Sequence, residues 1–344
     1  MSIPAALPRA PSKALARAAA AVLSLLTLGA AHAAGPAANG AAAGAAWTER
    51  AVTLSTPDGT LYGTELLPQS DAPPPMVLLH AGSGPTNRDG NSAGLPGPND
   101  SLKLLAEGLA RQGVATLRFD KRGVGQSAAA APAEAQLRFE TYVQDAGAWL
   151  AQLRAERRYA RVVVAGHSEG ALIGMLAARR AEADAFVSIA GPARAADEVI
   201  AEQLKPALPA GLYQDSLRIM AELKAGRSGV EVPPALAALF RPSVQPYLVS
   251  WFKYTPAVEL AKLRVPVLIV QGDADLQVAS AEARALGAAK PDAGVLLVEG
   301  MNHVLKLVGS DAALQRSSYS RPDLAVSAQL VQAIAAFAKD PAKR

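Results

Sequence analysis

The stretch "VVVAGHSEGALIGMLAA", residues 162–178, decides the fold. A valine-rich run leads into the pentapeptide Gly166-His167-Ser168-Glu169-Gly170, and a segment with helical spacing follows it. In a strand-turn-helix of this type the serine occupies a strained turn, and glycines flank it because a Cβ there would clash with the strand or the helix. We therefore predict that Ser168 is a nucleophile held between a strand and a helix.

A serine hydroxyl needs a base, and the base needs an acid that orients it. The chain has four histidines. His32 lies in the N-terminal segment, His80 ends an early apolar run, and His167 adjoins the serine with its side chain expected to point elsewhere. His303, in "EGMNHVLK", follows the last apolar run and fits the chain order Ser, Asp, His. We predict that His303 is the general base.

The acid should follow a strand between the serine and the histidine, and "PVLIVQGDADLQV" (266–278) offers Asp273 and Asp275. Asp275 is the preferred candidate because the loop must turn before it can present a carboxylate to the histidine. Asp273 would then be a turn residue that bonds its own backbone. Both aspartates remain candidates at this point.

The loop "HAGSGPTNRDGN" (80–91) suits either a phosphate site or an oxyanion site. It lacks the phosphate-loop pattern, since no lysine follows its glycines before Lys103. In an acyl-transfer site, one donor N–H comes from the residue after the nucleophile and a second from the loop after an early strand. We assign these donors to Glu169 and to Gly82, with Ser83 as the neighbouring alternative and a candidate for substrate contact.

Arg88 in the same loop has two interpretations. With Asp89 and Asn91 it can hold the loop through an internal ion pair and turn bonds. Alternatively, Arg88 or Asn87 points into the cleft and binds a polar or anionic part of the substrate. The following charged loop, "RFDKRGVGQS" (118–127), is predicted to be structural.

Short apolar runs alternate with helical segments along the chain, which is typical of strands buried on both faces of a parallel sheet. Residues 51–67 additionally predict a hairpin around Asp58-Gly59. Helical spacing predicts that one face of 139–158 is apolar. Its residues are Phe139, Tyr142, Val143, Ala146, Leu150 and Leu153. The predicted strands are 76–80, 114–120, 161–166, 185–191, 266–272 and 294–300. The fold class is therefore α/β, with a mostly parallel, doubly wound sheet.

The predicted domain organisation has four parts. Residues 1–33 carry three basic residues, a short apolar stretch and Ala31-His32-Ala33, the plan of a signal peptide cleaved near Ala33. Residues 34–46 are a flexible Ala/Gly leader. Residues 47–193 and 257–344 form the core, and 194–256, with helical spacing and no strand-like run, form an inserted helical cap. The predicted location is the periplasm or the medium.

Composition limits the classes of function. The chain has a formal net charge of +4, and removal of the predicted signal peptide leaves 31 basic and 30 acidic residues. No run of basic residues has interleaved aromatics. Nucleic acid is therefore not an expected partner. We expect no stable membrane association after cleavage. The chain has no cysteine, which excludes disulfides and thiolate sites. No metal or other cofactor is expected, and the composition leaves the oligomeric state open.

These motifs together resemble the α/β-hydrolase superfamily, and within it the bacterial carboxylesterases and serine-aminopeptidase-like hydrolases. The resemblance rests on "HAGSGPTNRDGN", "DKRGVGQS", "GHSEG", "SWFKYTPAVEL" leading into "VPVLIVQGDADLQV", and "EGMNHVLK", and it spans roughly residues 47–338. It implies Ser168 as nucleophile, Asp275 as acid, His303 as base and a cap between the sixth and seventh core strands. Glu169 departs from the pattern, because many relatives carry an uncharged residue there.

The expected function is hydrolysis of a small-molecule carboxylic ester by an exported serine hydrolase. A serine aminopeptidase-like hydrolase of short peptides is the nearest alternative, and it would need an acidic group such as Glu169, Glu198 or Glu202 to bind the substrate's ammonium. A non-catalytic binding protein on the same scaffold is a further alternative. The segment from Pro246 to Trp251 either forms an apolar acyl pocket or packs the cap onto the core.

Overall fold

The computed structural model describes residues 47–342 of the 344-residue chain. The predicted signal peptide and leader lie outside the described residues. An eight-stranded sheet forms the centre of the molecule. Its strands are β1 (Trp47–Thr56), β2 (Gly59–Pro68), β3 (Met76–His80), β4 (Ala115–Phe119), β5 (Val162–His167), β6 (Ala185–Ile189), β7 (Val267–Gly272) and β8 (Gly294–Val298).

The strands follow one another in the order β1-β2-β4-β3-β5-β6-β7-β8. β1 and β2 form the predicted antiparallel hairpin, which turns at Pro57 and Asp58, and β2 is also antiparallel to β4. All pairings from β4 to β8 are parallel. Every residue of β3, β4, β5 and β6 is buried, as expected for continuous apolar runs covered on both faces. The predicted α/β class with a mostly parallel, doubly wound sheet is confirmed.

Helices cover both faces of the sheet. Those of the described chain are α1 (Ser101–Arg111), α2 (Phe139–Ala155), α3 (Glu169–Arg180), α4 (Ala196–Leu204), α5 (Ala210–Lys224), α6 (Ala237–Phe240), α7 (Gln245–Trp251), α8 (Pro256–Ala261), α9 (Ser280–Ala289), α10 (Ala312–Ser317) and α11 (Ala328–Lys339). Within residues 47–342, no helix is both long and apolar enough to cross a bilayer.

Two apolar cores lie on opposite sides of the sheet. One contains residues of α2, α3, α9 and the helices between β6 and β7, and the other contains residues of α1 and α11. The apolar face predicted for α2 is buried at every position: Phe139, Tyr142, Val143, Ala146, Leu150 and Leu153. The 3.6-residue period therefore identified which side of this helix contacts the core.

The segment between β6 and β7 contributes α4 to α8 and, among its described residues, no strand. Its helix α7 packs on the start of α2: Trp251 stacks on Phe139 with ring centroids 6.0 Å apart, and the Ser250 hydroxyl accepts a 2.8 Å hydrogen bond from the Phe139 N–H. Leu248 and Trp251 are buried in this contact. The apolar stretch from Pro246 to Trp251 therefore packs against the core. The domain bounds predicted from the sequence stay predictions.

Candidate functional site

Ser168 lies in the tight turn between β5 and α3, at φ 57° and ψ −124°. Positive φ is costly for a residue with a side chain and persists only where the surroundings enforce it. The enforcement is steric: a Cβ on Gly166 would come 2.0 Å from the carbonyl oxygen of Gly170, and one on Gly170 would come 2.4 Å from that of Ala81. Both glycines of the pentapeptide are thus required by backbone contacts, as the sequence motif predicts.

Asp275 and His303 meet although they lie on different loops, after β7 and β8. His303 Nδ1 and Asp275 Oδ2 are 2.8 Å apart, and both side chains are buried. The other carboxylate oxygen of Asp275 accepts backbone hydrogen bonds from Gln277 and Val278, at 2.8 and 3.0 Å. The carboxylate is therefore fixed in position and can hold a proton on Nδ1 of the imidazole, which leaves Nε2 to act on other groups.

Burial alone would raise the pKa of Asp275. The neighbouring His303 and the hydrogen bonds from Val278 and Gln277 outweigh burial and lower that pKa below its ordinary value. The carboxyl group is consequently ionised near neutral pH, the state in which it can accept a hydrogen bond from an imidazole N–H.

Asp273 faces a different partner. Its Oδ1 accepts a 2.6 Å hydrogen bond from the backbone N–H of Gly300, so it ties the loop after β7 to the turn that follows β8. The expectation that Asp273 bonds its own backbone is therefore not what the structure shows. Of the two candidate acids, Asp275 is the one in contact with the histidine.

His167 is a residue whose role the sequence reasoning missed. Its Nε2 lies 2.8 Å from the backbone carbonyl oxygen of His303, and the two imidazole centroids are 4.7 Å apart. The expectation that His167 points away from the site is wrong. The contact joins residues 136 positions apart, so no local spacing could have indicated it. His167 supports the backbone that carries His303.

Gly82, in the loop after β3, lies directly beside Ser168. A Cβ on Gly82 would come 3.2 Å from the Cβ of Ser168. Glu169 is the first residue of α3, where backbone N–H groups have no partner within the helix and the helix dipole favours negative charge. Ser83 follows Gly82, and its carbonyl oxygen accepts a 2.8 Å hydrogen bond from the Thr86 hydroxyl. The predicted oxyanion residues Gly82 and Glu169 thus both adjoin the serine.

The guanidinium of Arg88 is engaged by the protein itself. It donates to Asp120 at 2.6 Å, to Gln126 at 2.7 Å and to Thr64 at 3.0 Å. This arrangement matches the bracing interpretation of Arg88, whereas the tentative assignment to substrate contact is not supported. The brace is also not the internal pair that was expected, because Asp89 pairs with Arg118.

Metal ligation has no candidate in the described part of the chain: residues 47–342 contain no group of three or more His, Cys, Asp or Glu side chains able to hold an ion. Three buried polar residues are connected to this turn: Glu169 follows Ser168, Tyr247 donates to Glu169, and Lys121 donates to the carbonyl of Gly82. The sequence alone places Lys121 only in a structural loop and Tyr247 only in an apolar segment.

We expect the imidazoles of His80 and His167 to stay neutral from about pH 8 down to about pH 5. Burial lowers the pKa of each to about 3; the charge of Lys121 adds to this for His80 and that of His303 for His167. Long-range ¹H–¹⁵N NMR of the imidazole nitrogens, assigned with a His80→Asn variant, measures this directly. A titration midpoint within that pH range for either residue would contradict the prediction.

Comparison with known proteins finds similarity to hydrolases. A family model described as serine aminopeptidase, S33, matches residues 99–230. Esterase EstD of Thermotoga maritima is 33% identical over 221 residues, which are 63% of this chain and 50% of that protein. The chain thus spans half the length of this curated relative.

Solved structures resemble the chain over most of its length. Est1E from Butyrivibrio proteoclasticus has a TM-score of 0.54 at 18% identity, with 86% of this chain and 99% of that one covered. An esterase of Pyrococcus furiosus has a TM-score of 0.55 at 16% identity, with 90% and 97% covered. These identities show a shared fold. The family model and the Thermotoga relative add sequence similarity to serine hydrolases over part of the chain.

Proposed function

We propose that the protein is an exported serine hydrolase that cleaves carboxylic esters through Ser168, His303 and Asp275. The observation that carries the proposal is the buried hydrogen bond between Asp275 and His303. The backbone carbonyl of His303 in turn contacts His167, the residue that precedes the strained Ser168. The relatives described as esterases support the ester as the substrate class.

In this mechanism Ser168 Oγ attacks the ester carbonyl while Nε2 of His303 takes its proton. Asp275 holds the imidazole tautomer and stabilises the imidazolium that forms. The N–H groups of Gly82 and Glu169 stabilise the oxyanion, and the second of these also has the N-terminal end of α3 behind it. The alcohol leaves with the proton from His303, and a water activated by the same imidazole releases the acid.

Hydrolysis of aminoacyl amides is the less favoured alternative, because two of the three acidic groups named for it, Glu169 and Glu202, are engaged by other side chains. The Glu169 carboxylate accepts a 2.6 Å hydrogen bond from the Tyr247 hydroxyl, and Glu202 pairs with Arg194. Glu198 is exposed on α4. The name of the matching family model is the argument for amides, and the ester names of the relatives weigh against it.

Ser168→Ala should lower kcat for short nitrophenyl esters by at least about 10⁴-fold, since it removes the attacking oxygen and leaves the turn intact. Ser70→Ala, at an exposed loop serine, is the matched control and should hydrolyse these esters at the wild-type rate. A fluorophosphonate probe, located by peptide mass spectrometry, should label Ser168 in the wild type. Absence of labelling, or faster turnover of aminoacyl nitroanilides than of esters, would contradict the proposal.

Asp275→Asn and Asp273→Asn form a second matched pair. Asp275→Asn should reduce kcat by about 10⁴-fold, because an amide cannot hold the required imidazole tautomer. Asp273→Asn keeps an oxygen acceptor for the Gly300 N–H and should stay within about tenfold of wild type. The reverse ranking in steady-state ester hydrolysis would assign the acid to Asp273.

Export is the remaining part of the proposal, and the basic, apolar and small-residue plan of residues 1–33 supports it. Expression of the full chain in a Gram-negative host should give a periplasmic protein whose intact mass corresponds to cleavage after Ala33. A variant with Ala31 and Ala33 replaced by arginine should accumulate uncleaved. An uncleaved wild-type chain in the cytoplasmic fraction would refute export.

A further inference from the structure

Lys121, in the loop after β4, is a buried cation, with only 2% of its surface exposed. Its Nζ donates a hydrogen bond to the carbonyl oxygen of Gly82 and lies 5.5 Å from the ring centroid of Tyr142. Burying an ammonium is costly unless nearby groups compensate its charge. A lysine held there needs an explanation, and the proposed mechanism above gives it no role.

The compensating charge is Glu169, whose side chain is also buried. Burial raises the pKa of Glu169 above its ordinary value, and the charge of Lys121 and the hydrogen bond from Tyr247 offset part of that rise. Tyr247 belongs to α7 of the predicted cap, so the cap bonds the Glu169 side chain directly, while the charge of Lys121 acts on it through space. The residue after the nucleophile thus has a fixed side chain as well as a free backbone N–H.

Gly82 has no side chain that could fix its backbone by packing, and there is little room for one, because a Cβ there would lie 3.2 Å from the Cβ of Ser168. Glycine is also the residue with the widest choice of backbone conformation. Its N–H can act on an oxyanion only if the backbone is fixed from outside. The hydrogen bond from Lys121 to the carbonyl of the same residue supplies that restraint.

We propose that Lys121 is a positioning residue for the oxyanion hole: it fixes the backbone of Gly82, balances the Glu169 carboxylate, and so holds the two residues that donate to the oxyanion in one arrangement. This inference rests on the proposed serine-hydrolase function. It concerns how the donors are held and assigns Lys121 no contact with the substrate.

The charged and titratable groups near Lys121 are Glu169, Tyr142 and His80. Tyr247 is linked to Lys121 indirectly, because it bonds the Glu169 carboxyl group. Burial lowers the pKa of Lys121 to about 8, against the opposing effect of Glu169. The pKa of His80 is lowered to about 3, and those of Tyr142 and Tyr247 are raised by burial, so these three are neutral near pH 8. Lys121 is cationic below about pH 8 and loses its charge above it.

The test compares kcat–pH profiles of the wild type and Lys121→Met on a short nitrophenyl ester. The wild type should lose activity as the pH rises through about 8. Lys121→Met should have at least about tenfold lower kcat at pH 7, a KM within about twofold, and no fall near pH 8. The charge-balanced Lys121→Met/Glu169→Gln variant should show the same profile, and it guards against misfolding caused by an unpaired buried carboxylate.

Lys306→Met is the matched control. Lys306 is also buried, donates to the carbonyl of Leu324, and has a pKa lowered by burial to about 8, but it makes no bond to Gly82. Its removal should leave the fall near pH 8 in place. Wild-type kcat in both Lys121 variants, or a fall that disappears only in Lys306→Met, would overturn the proposal. A wild type that neither hydrolyses esters nor labels at Ser168 would refute the proposed function instead.

Discussion

The site depends on the close approach of the Ser168 turn to the loop after β3. β3 and β5 are parallel neighbours, and their register pairs His80 with Gly166, so the two loops leave the sheet side by side. A Cβ on Gly170 would lie 2.4 Å from the carbonyl oxygen of Ala81. The strain at Ser168 is therefore maintained by packing of one backbone on another. A side chain at Gly170 would push the turn away from the loop after β3, and one at Gly166 would clash within the turn itself.

The loop after β3 is held by its own side chains, such as Asn87 and Asn91, and also by residues of β4 and the loop after it. Lys121 bonds the carbonyl of Gly82, and Asp120 bonds both the backbone N–H and the guanidinium of Arg88. Arg118 pairs with Asp89. Because β3 and β4 are adjacent and parallel, these loops emerge at the same edge of the sheet. Buried charges are weak sources of stability, so their effect here is to select one loop conformation.

The sequence predicted the sheet, the serine turn and the likeness to α/β-hydrolases because these depend on local features. Continuous apolar runs indicate buried parallel strands, and Gly-x-Ser-x-Gly between a strand and a helix indicates the turn. Chain order and strand ends were sufficient to propose Asp275 and His303. The hydrogen bond between them agrees with that choice.

Partners across the fold could not be predicted in this way. The sequence suggested that Arg88 pairs with its neighbour Asp89. In the structure Arg88 pairs with Asp120 of the adjacent loop, and Asp89 pairs with Arg118 of β4. His167 and His303 meet because two loops converge, and Tyr247 reaches Glu169 because α7 folds over the core. Periodicity identifies which residues of an element are buried, but the partner depends on strand order and on how the inserted helices pack.

The helices between β6 and β7 are joined to the Ser168 turn by a hydrogen bond to a carboxyl group as well as by apolar packing. The Tyr247 hydroxyl donates to the carboxylate of Glu169, the residue that follows Ser168. Moving α7 away would remove one partner from that carboxylate and also break the hydrogen bond from the Phe139 N–H to Ser250. A carboxylate that loses a hydrogen bond in a buried site costs free energy, so the packed position of α7 and the arrangement of Glu169 and Lys121 stabilise each other. The position of these helices and the geometry around Ser168 are therefore energetically coupled, although Tyr247 and Ser168 lie on different parts of the fold.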